Sequence, residues 1–590
     1  MTSSISRRSV LKTAALGSAL AVAPTRLFSA EAAAEPALDG IFGYGVASGD
    51  PTATAVIIWT RATPPTAADE PPAIPGSGLG QPLLVVWQVA RDRAFDQIVA
   101  QGITKTSPAS DHTVRIDVTG LTPYSGYYYR FRARGQISPV GRTRTAPDVA
   151  GEVHALRLAL VSCSNYTGGY FTTYRAIARR TDLDFVLHVG DYIYEYGNGE
   201  DRYGPPTLIG ERDAEPPVET IDLEGYRLRH ALHKADPDSQ AAHRAHPWIT
   251  IFDDHEVANN TWATDAENHT PGEEGNFLRR RRQAYQAYLE WMPFRLPEQR
   301  VVPHQGIRFF RRFTYGALGD LSVVETRQNR SAQIDLFPFS TKGGGFIPEG
   351  VPGLADPDRH LPEPEQLQWL IDGVTAPGRQ WHLVGNQTIF SPIRFPGDTL
   401  GAPGVVLLNS DQWDGYQADQ AEVVGQLAAA PAAAGDSVFL TGDIHSSWAI
   451  DVPADRAGYP GDGQSVAVEF VCPSVTSDGF YEVFSGGAPS AETLPLALAT
   501  VADATAALYS TNPWLRYVDG IGHGYTVIDV TPQRVQADFY HTPMPTVEQP
   551  DPRIDRRVLP AYSSSWQTLA GSRSVAPAAS AVGPRSDEPA

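Results

Sequence analysis

Five stretches of the chain are apolar at nearly every position and end abruptly in polar side chains: LRLALVSCSN, DFVLHVGDYIY, WITIFDDHEVANN, WHLVGNQ and SVFLTGDIH. A run of that kind has no polar face to turn to water, so it predicts a strand covered on both sides. Strands of a layered α/β domain deliver the residues at their carboxyl ends into one crevice. The pattern therefore predicts that Cys163, Asp191, Tyr194, Asp254, His255, Asn260, Asp443 and His445 meet. TTYRAIARR, NFLRRRRQAYQAYLEWM and PEQLQWLIDGV carry helical spacing, so residues from about 155 to 542 read as strands alternating with helices.

Residues 40–147 are patterned differently. VASGDPTATAVIIWTR, LLVVWQVARD, HTVRIDVTGLTP and YYYRFRARG are short runs broken by turns, with no long amphipathic helix among them. They predict a small β-sandwich of the fibronectin or immunoglobulin type. The stretch after residue 542 is a C-terminal extension. Its end, SRSVAPAASAVGPRSDEPA, is rich in Pro, Ala and Ser and predicts a partly disordered tail. At the amino terminus, paired Arg7 and Arg8 precede a short apolar run and an alanine-rich stretch, the pattern of a twin-arginine export signal over residues 1–34. Leu16 to Val22 is too short to span a bilayer. The expected destination is secreted, periplasmic or cell-wall associated, reached through the twin-arginine translocation machinery by a chain already folded around its cofactors.

Charge and cysteine usage narrow the partners. A formal net charge of −20 over 590 residues argues against a nucleic acid or an anionic membrane as a stable partner. The basic run Arg279 to Arg282 lies on the pattern of an amphipathic helix with Tyr285, Tyr288 and Trp291, and reads as a solvated or salt-bridged face. Two cysteines are too few for a disulfide scaffold. Cys163, at the end of an apolar run beside Ser162, Ser164 and Asn165, reads as a ligand, and Cys472 in VEFVCPSV as core.

The clustered residue types suit metals. Asp191 and Tyr194 are three apart after a buried strand, so carboxylate and phenol can face one point. A tyrosine binds as phenolate at neutral pH only to a strongly acidic cation, most naturally Fe3+. Cys163, Asp191 and His445 would complete that shell. Asp191, Asn260 and Asp443 offer oxygen alone, which selects hard cations such as Ca2+, Mg2+ or Mn2+. Two metals sharing a carboxylate, about 3.5–4 Å apart, form the usual clamp for in-line attack at phosphorus.

CSNYTGGYFTTYR, HVGDYIYEYG, FDDHEVANN, TRQNR, WDGY and TGDIHSSW, in that order, resemble the PhoD-type alkaline phosphatases. GVASGDPTATAVIIWTR and ISPVGRTRTAP resemble them too, so the resemblance covers about residues 40 to 542. It implies an α+β fold, the calcineurin-like metallophosphatase αββα sandwich, following the small β-sandwich domain. It implies that Cys163, Asp191, Tyr194 and His445 hold Fe3+, and that Asp191, Asn260 (rather than Asn259) and Asp443 hold Ca2+. Small phosphate mono- or diesters would be the substrates, cleaved by activated water or oxide. Glu325 stands where the family commonly has Asp. On this reading Arg327 clamps the phosphate oxygens, with a structural salt bridge as the alternative. His255 serves the leaving group or the transition state with Asp254 orienting it, unless residues 253–256 only support the ligands. A phospholipase D-like phosphodiesterase and a non-catalytic exported binding protein are the remaining readings.

Overall fold

The computed structural model describes residues 40–65, 71–199, 202–295, 307–336, 340–341, 344–402 and 404–585. The export signal read over residues 1–34 lies outside them. Six strands carry the site: β1 (Leu156–Val161), β2 (Phe185–His188), β3 (Pro247–Thr250), β4 (Gly319–Val323), β5 (Trp381–Asn386) and β6 (Asp436–Thr441). Every residue of all six is buried, as their unbroken apolar runs require.

β1, β2 and β3 are mutually parallel at the centre of a ten-stranded sheet. β4, β5 and β6 are parallel in a seven-stranded sheet. The two sheets bury their facing sides in one core, to which Leu158, Leu187 and Ile249 contribute from the first and Leu321, Leu383 and Val438 from the second. Helices lie outside, among them α1 (Phe277–Trp291), which packs Tyr285, Tyr288 and Trp291 inward. This is the αββα sandwich. The sheets touch at their carboxyl rims through a parallel bridge between Ser162 and Ser474.

The amino-terminal segment forms a sandwich that shares a wall with the rest. Leu84–Ala90, Ile98–Lys105, Gly126–Ala133, Gln136–Ile137 and Gly141–Arg144 make a five-stranded sheet whose inner face buries Tyr127, Tyr129 and Phe131. The opposing wall, Val46–Gly49, Ala55–Arg61 and Thr113–Thr119, is the edge of the ten-stranded sheet. Val46–Gly49 runs parallel to β3, with Ser48 opposite Pro247, and the Asp50 amide bonds the Trp248 carbonyl at 2.9 Å. A hydrogen-bonded ladder leaves no hinge between the two units.

The expectation of a partly disordered tail is corrected for the described residues. Ala561–Leu569 and Val575–Pro577 extend the ten-stranded sheet beyond Arg534–His541. Trp566 stacks on Tyr517 at 5.5 Å, and the Arg585 guanidinium pairs with buried Asp184. Arg553, fully buried, reaches Asp478 at 2.6 Å and Asp551 at 2.8 Å. Low hydropathy hid these strands because they lie at a sheet edge and are held by side-chain polar contacts.

A chain truncated after Thr542 should therefore lose stability by several kcal/mol, since the buried Asp478 carboxylate loses Arg553 and Asp184 keeps Arg144 but loses Arg585. Thermal unfolding of the two chains checks this; coincident transitions would contradict an integral C-terminal segment.

Candidate metal centre

Four loops at the carboxyl rims build the site. β1 leads into Cys163, β2 into Asp191, β3 into Asp253, Asp254 and His255, and β6 into Asp443 and His445. Each turns sharply. Cys163, Asp191, Asn260, Asp443 and His445 all adopt the left-handed backbone, with φ between 53° and 65°. Five of the six expected metal ligands thus sit where L-residues pay roughly 1–3 kcal/mol each, a cost that persists at sites over-determined by their surroundings. Close approach is built in as well: a Cβ on Gly190 would stand 2.4 Å from the Asp253 Cβ, and one on Gly442 would stand 2.6 Å from the Ser162 Oγ.

The first donor group is mixed. Ligand atoms of Cys163, Asp191 and His445 lie within 4.8 Å of one another. The Tyr194 hydroxyl donates to Asp191 Oδ2 at 3.0 Å, lies 3.3 Å from His445 Nε2 and accepts from Ser477 at 2.6 Å. His445 Nδ1 donates to the Asp478 carbonyl at 2.7 Å, which fixes the tautomer and leaves the Nε2 lone pair for a ligand bond. Burial pushes the His445 imidazole down to about 4, so it is neutral at physiological pH. Burial also raises the Cys163 thiol, the Tyr194 phenol and the Asp191 carboxyl well above their ordinary values. Asp191 Oδ1 is buried and has no hydrogen-bond partner among the described residues. Three acids held protonated by a low dielectric, an orphaned carboxylate oxygen and a fixed imidazole lone pair fit one cation, which would compensate the charges that burial opposes.

The second group is mainly carboxylate, with His255 at its edge. Asp254 belongs with Asp191 and His255 on one side, and with Asp253 and Asp443 on the other, each set within 4.8 Å. Although burial raises a carboxyl, Arg327, His255 and the Asn260 amide hold Asp254 below the ordinary range. Asp254, expected to orient His255, thus belongs to both sets of clustered carboxylates. Asn260, expected as a ligand, shares this loop: its backbone N–H donates to Asp254 Oδ2 at 2.5 Å and its side-chain Nδ2 donates to Glu267 at 2.7 Å, which leaves Oδ1, the atom that would meet a cation, uncommitted among the described residues.

Two catalytic assignments change. Arg327 is 0% exposed and its fork is filled: Nη1 meets Asp411 at 2.7 Å, Nη2 meets Asp443 at 2.8 Å, and Nε pairs with Asp253. It braces the ligand loops and presents no free edge to a phosphate, so the structural salt bridge replaces the clamp. The partner of His255 is Glu195, whose Oε2 accepts from Nδ1 at 2.7 Å; Asp254 bonds only the backbone N–H of His255. Burial lowers the imidazole, but Glu195, Asp254 and Asp191 outweigh it and hold His255 well above the usual range, hence protonated.

Several supporting residues have no sequence signature. Glu195 also accepts from the Asn259 amide at 2.6 Å and the Asn268 side chain at 2.8 Å. Glu256 gathers the backbone N–H groups of Asp191, Tyr192 and Asp253, tying the loops after β2 and β3 together, and burial raises it to about 7. Gln412 donates to Asp443 at 2.8 Å. Arg553, from the extension, holds Asp478, whose carbonyl orients His445. Adjacency to Tyr194 and His255 was the available signal for Glu195 and Glu256; Arg553 had none.

Comparison with known proteins bears on what this centre does. The PhoD-like phosphatase family model matches residues 158–539, and that of the PhoD-like phosphatase N-terminal domain matches residues 29–147. Alkaline phosphatase D of Bacillus subtilis (strain 168) is 34% identical over 531 residues, covering 90% of this chain and 82% of that protein. A solved structure of PhoD superposes with a TM-score of 0.76 at 31% identity, covering 93% of this chain and 94% of its own.

Because Glu195 raises the His255 pKa, Glu195→Gln should lower it. Imidazole NMR titration measures the shift, and an unchanged His255 titration would disprove the pairing.

Proposed function

Since the chain belongs to the PhoD-like phosphatase family, and so is a phosphoric ester hydrolase, we propose that it cleaves phosphate mono- and diesters at a centre for two dissimilar cations, Fe3+ and Ca2+. The carrying observation is the division of donors about Asp191, with Cys163, Tyr194 and His445 on one side and, on the other, a set dominated by carboxylates in which His255 is the one nitrogen donor. Thiolate, phenolate and imidazole suit ferric iron, and the carboxylates of Asp191, Asp254 and Asp443 suit calcium. When bound, the pair would withdraw charge from the phosphate oxygens and make a nucleophile available at mild pH.

The chain's own residues do the rest. Protonated His255, its Nδ1 committed to Glu195, keeps Nε2–H to donate toward the leaving-group oxygen. Arg327 fixes Asp253 and Asp443 so that neither carboxylate swings into the phosphate site. The Tyr194 ring, 4.1 Å from the His255 ring, limits the rotation of that imidazole. The paired arginines Arg7 and Arg8 support export through the twin-arginine route, which would deliver a folded, metal-loaded enzyme outside the cytoplasm. Among the described residues no helix is long and apolar enough to cross a membrane.

The purified protein should release p-nitrophenol from a phosphate ester in calcium and lose this on chelation, and full activity after exhaustive chelation would contradict the two-cation centre. It should also be coloured by phenolate-to-iron charge transfer, with the visible band bleached in Tyr194→Phe; an unchanged band would remove Tyr194 from the ligand set.

A further inference from the structure

A cleft of about 610 Å³ that no step above uses runs beside α1, lined by Arg115, Arg279, Arg281, Arg282 and Tyr285. One carboxylate, Glu290, also lines it, so the lining is 4 − 1 = +3 in a chain whose formal charge is −20. That carboxylate is already bound by Arg227 at 2.7 and 2.8 Å.

Arg280, in the same basic run, turns the other way and pairs with Glu219 at 2.7 Å and Glu274 at 2.6 Å. Among the described residues, none of the four cleft arginines has a carboxylate within salt-bridge reach. Arg281 is the exceptional one. It is only 4% exposed, its Nη1 is spent on the carbonyls of Ala263 at 2.6 Å and Gln328 at 2.7 Å, and its remaining N–H groups have no partner among the described residues. The Tyr285 hydroxyl, on a residue 3% exposed, is likewise without a partner.

Buried Glu325 balances part of the Arg281 charge from a distance, but among the described residues no carboxylate bonds the guanidinium directly, and a buried guanidinium without such a partner is costly. Three other buried arginines, Arg157, Arg327 and Arg553, are each held by carboxylates. The planar forks of Arg281 and its neighbours match phosphate oxygens, and the volume falls in the range of organic-ligand pockets, roughly 300–1,000 Å³. We propose that this cleft binds an oligophosphate, a ligand carrying several linked phosphate groups, separately from the metal centre. The Gln328 carbonyl accepts from Arg281, and the amides of Gln328 and Arg327 share Glu325 Oε1 at 2.5 and 2.7 Å, so an occupant of the cleft is joined by short bonds to the arginine that braces Asp443.

The test is isothermal titration of tripolyphosphate into the full chain carrying Asp191→Ala, which silences the metal centre, with and without Arg279→Glu and Arg282→Glu on the exposed face. One ligand per Asp191→Ala chain, weakened about tenfold or more by the added pair and falling with salt, is the expected result. No binding, or equal binding by the two chains, would overturn it. Should Asp191→Ala fail to fold, the wild-type background gives the same reading as two sites reduced to one. Turnover of p-nitrophenyl phosphate without tripolyphosphate should be unchanged by the arginine pair, so failure of the cleft and failure of the phosphatase centre are read separately.

Discussion

The structure depends on compensating charge at the rim where its two sheets meet. Asp191, Asp253, Asp254, Asp411, Asp443, Glu195 and Glu256 converge there, opposed within the protein by Arg327, Arg330 and His255. With seven carboxyl groups and three cations in a low dielectric, burial pushes Asp191, Asp253 and Glu256 toward their protonated forms, and further positive charge would let them ionise. Each protein cation is placed to hold carboxylates that form the cup, not to fill it. Arg327 spans the loops after β3 and β6, and Arg330 fixes Asp411 behind it. What remains open is a pair of donor sets joined at Asp191.

That arrangement requires a rigid frame, because the loops are held in left-handed conformations that neighbouring backbone must enforce. The frame extends further than the residues that carry the chemistry. The amino-terminal sandwich lends its strands to the same sheet that ends in Asp191 and Asp254, and the carboxyl-terminal segment returns Arg553 beneath His445. Movement of either would be felt at a ligand. The parallel bridge between Ser162 and Ser474 ties the two sheets together at the same rim.

The strands, their buried character and the convergence of Cys163, Asp191, Tyr194, Asp443 and His445 were legible in the sequence because an apolar run interrupted by a polar cluster has a direct physical meaning. Continuity of the amino-terminal sandwich with the core had a partial sign as well: AVIIWTR opens on five consecutive apolar residues and is buried at all seven positions. What could not be read were choices among neighbours. Asp254 and Asn260 sit in one loop, and only coordinates show that the first faces the other carboxylates while the second turns its amide to Glu267. The exchange of Asp254 for Glu195 as partner of His255 spans 60 residues, which no local spacing encodes. The strand Ala561–Leu569, written in serine, tyrosine and glutamine, is stabilised by its place at a sheet edge rather than by composition.

The claim that one buried carboxylate serves two dissimilar cations is tested most directly by metal analysis of purified Asp191→Ala and Asp443→Ala chains beside the wild type. Loss of both iron and calcium from Asp191→Ala, with calcium alone lost from Asp443→Ala, is the predicted outcome. Retention of either metal at full occupancy in Asp191→Ala would contradict the shared ligand, and with it the reading of the site as a coupled pair.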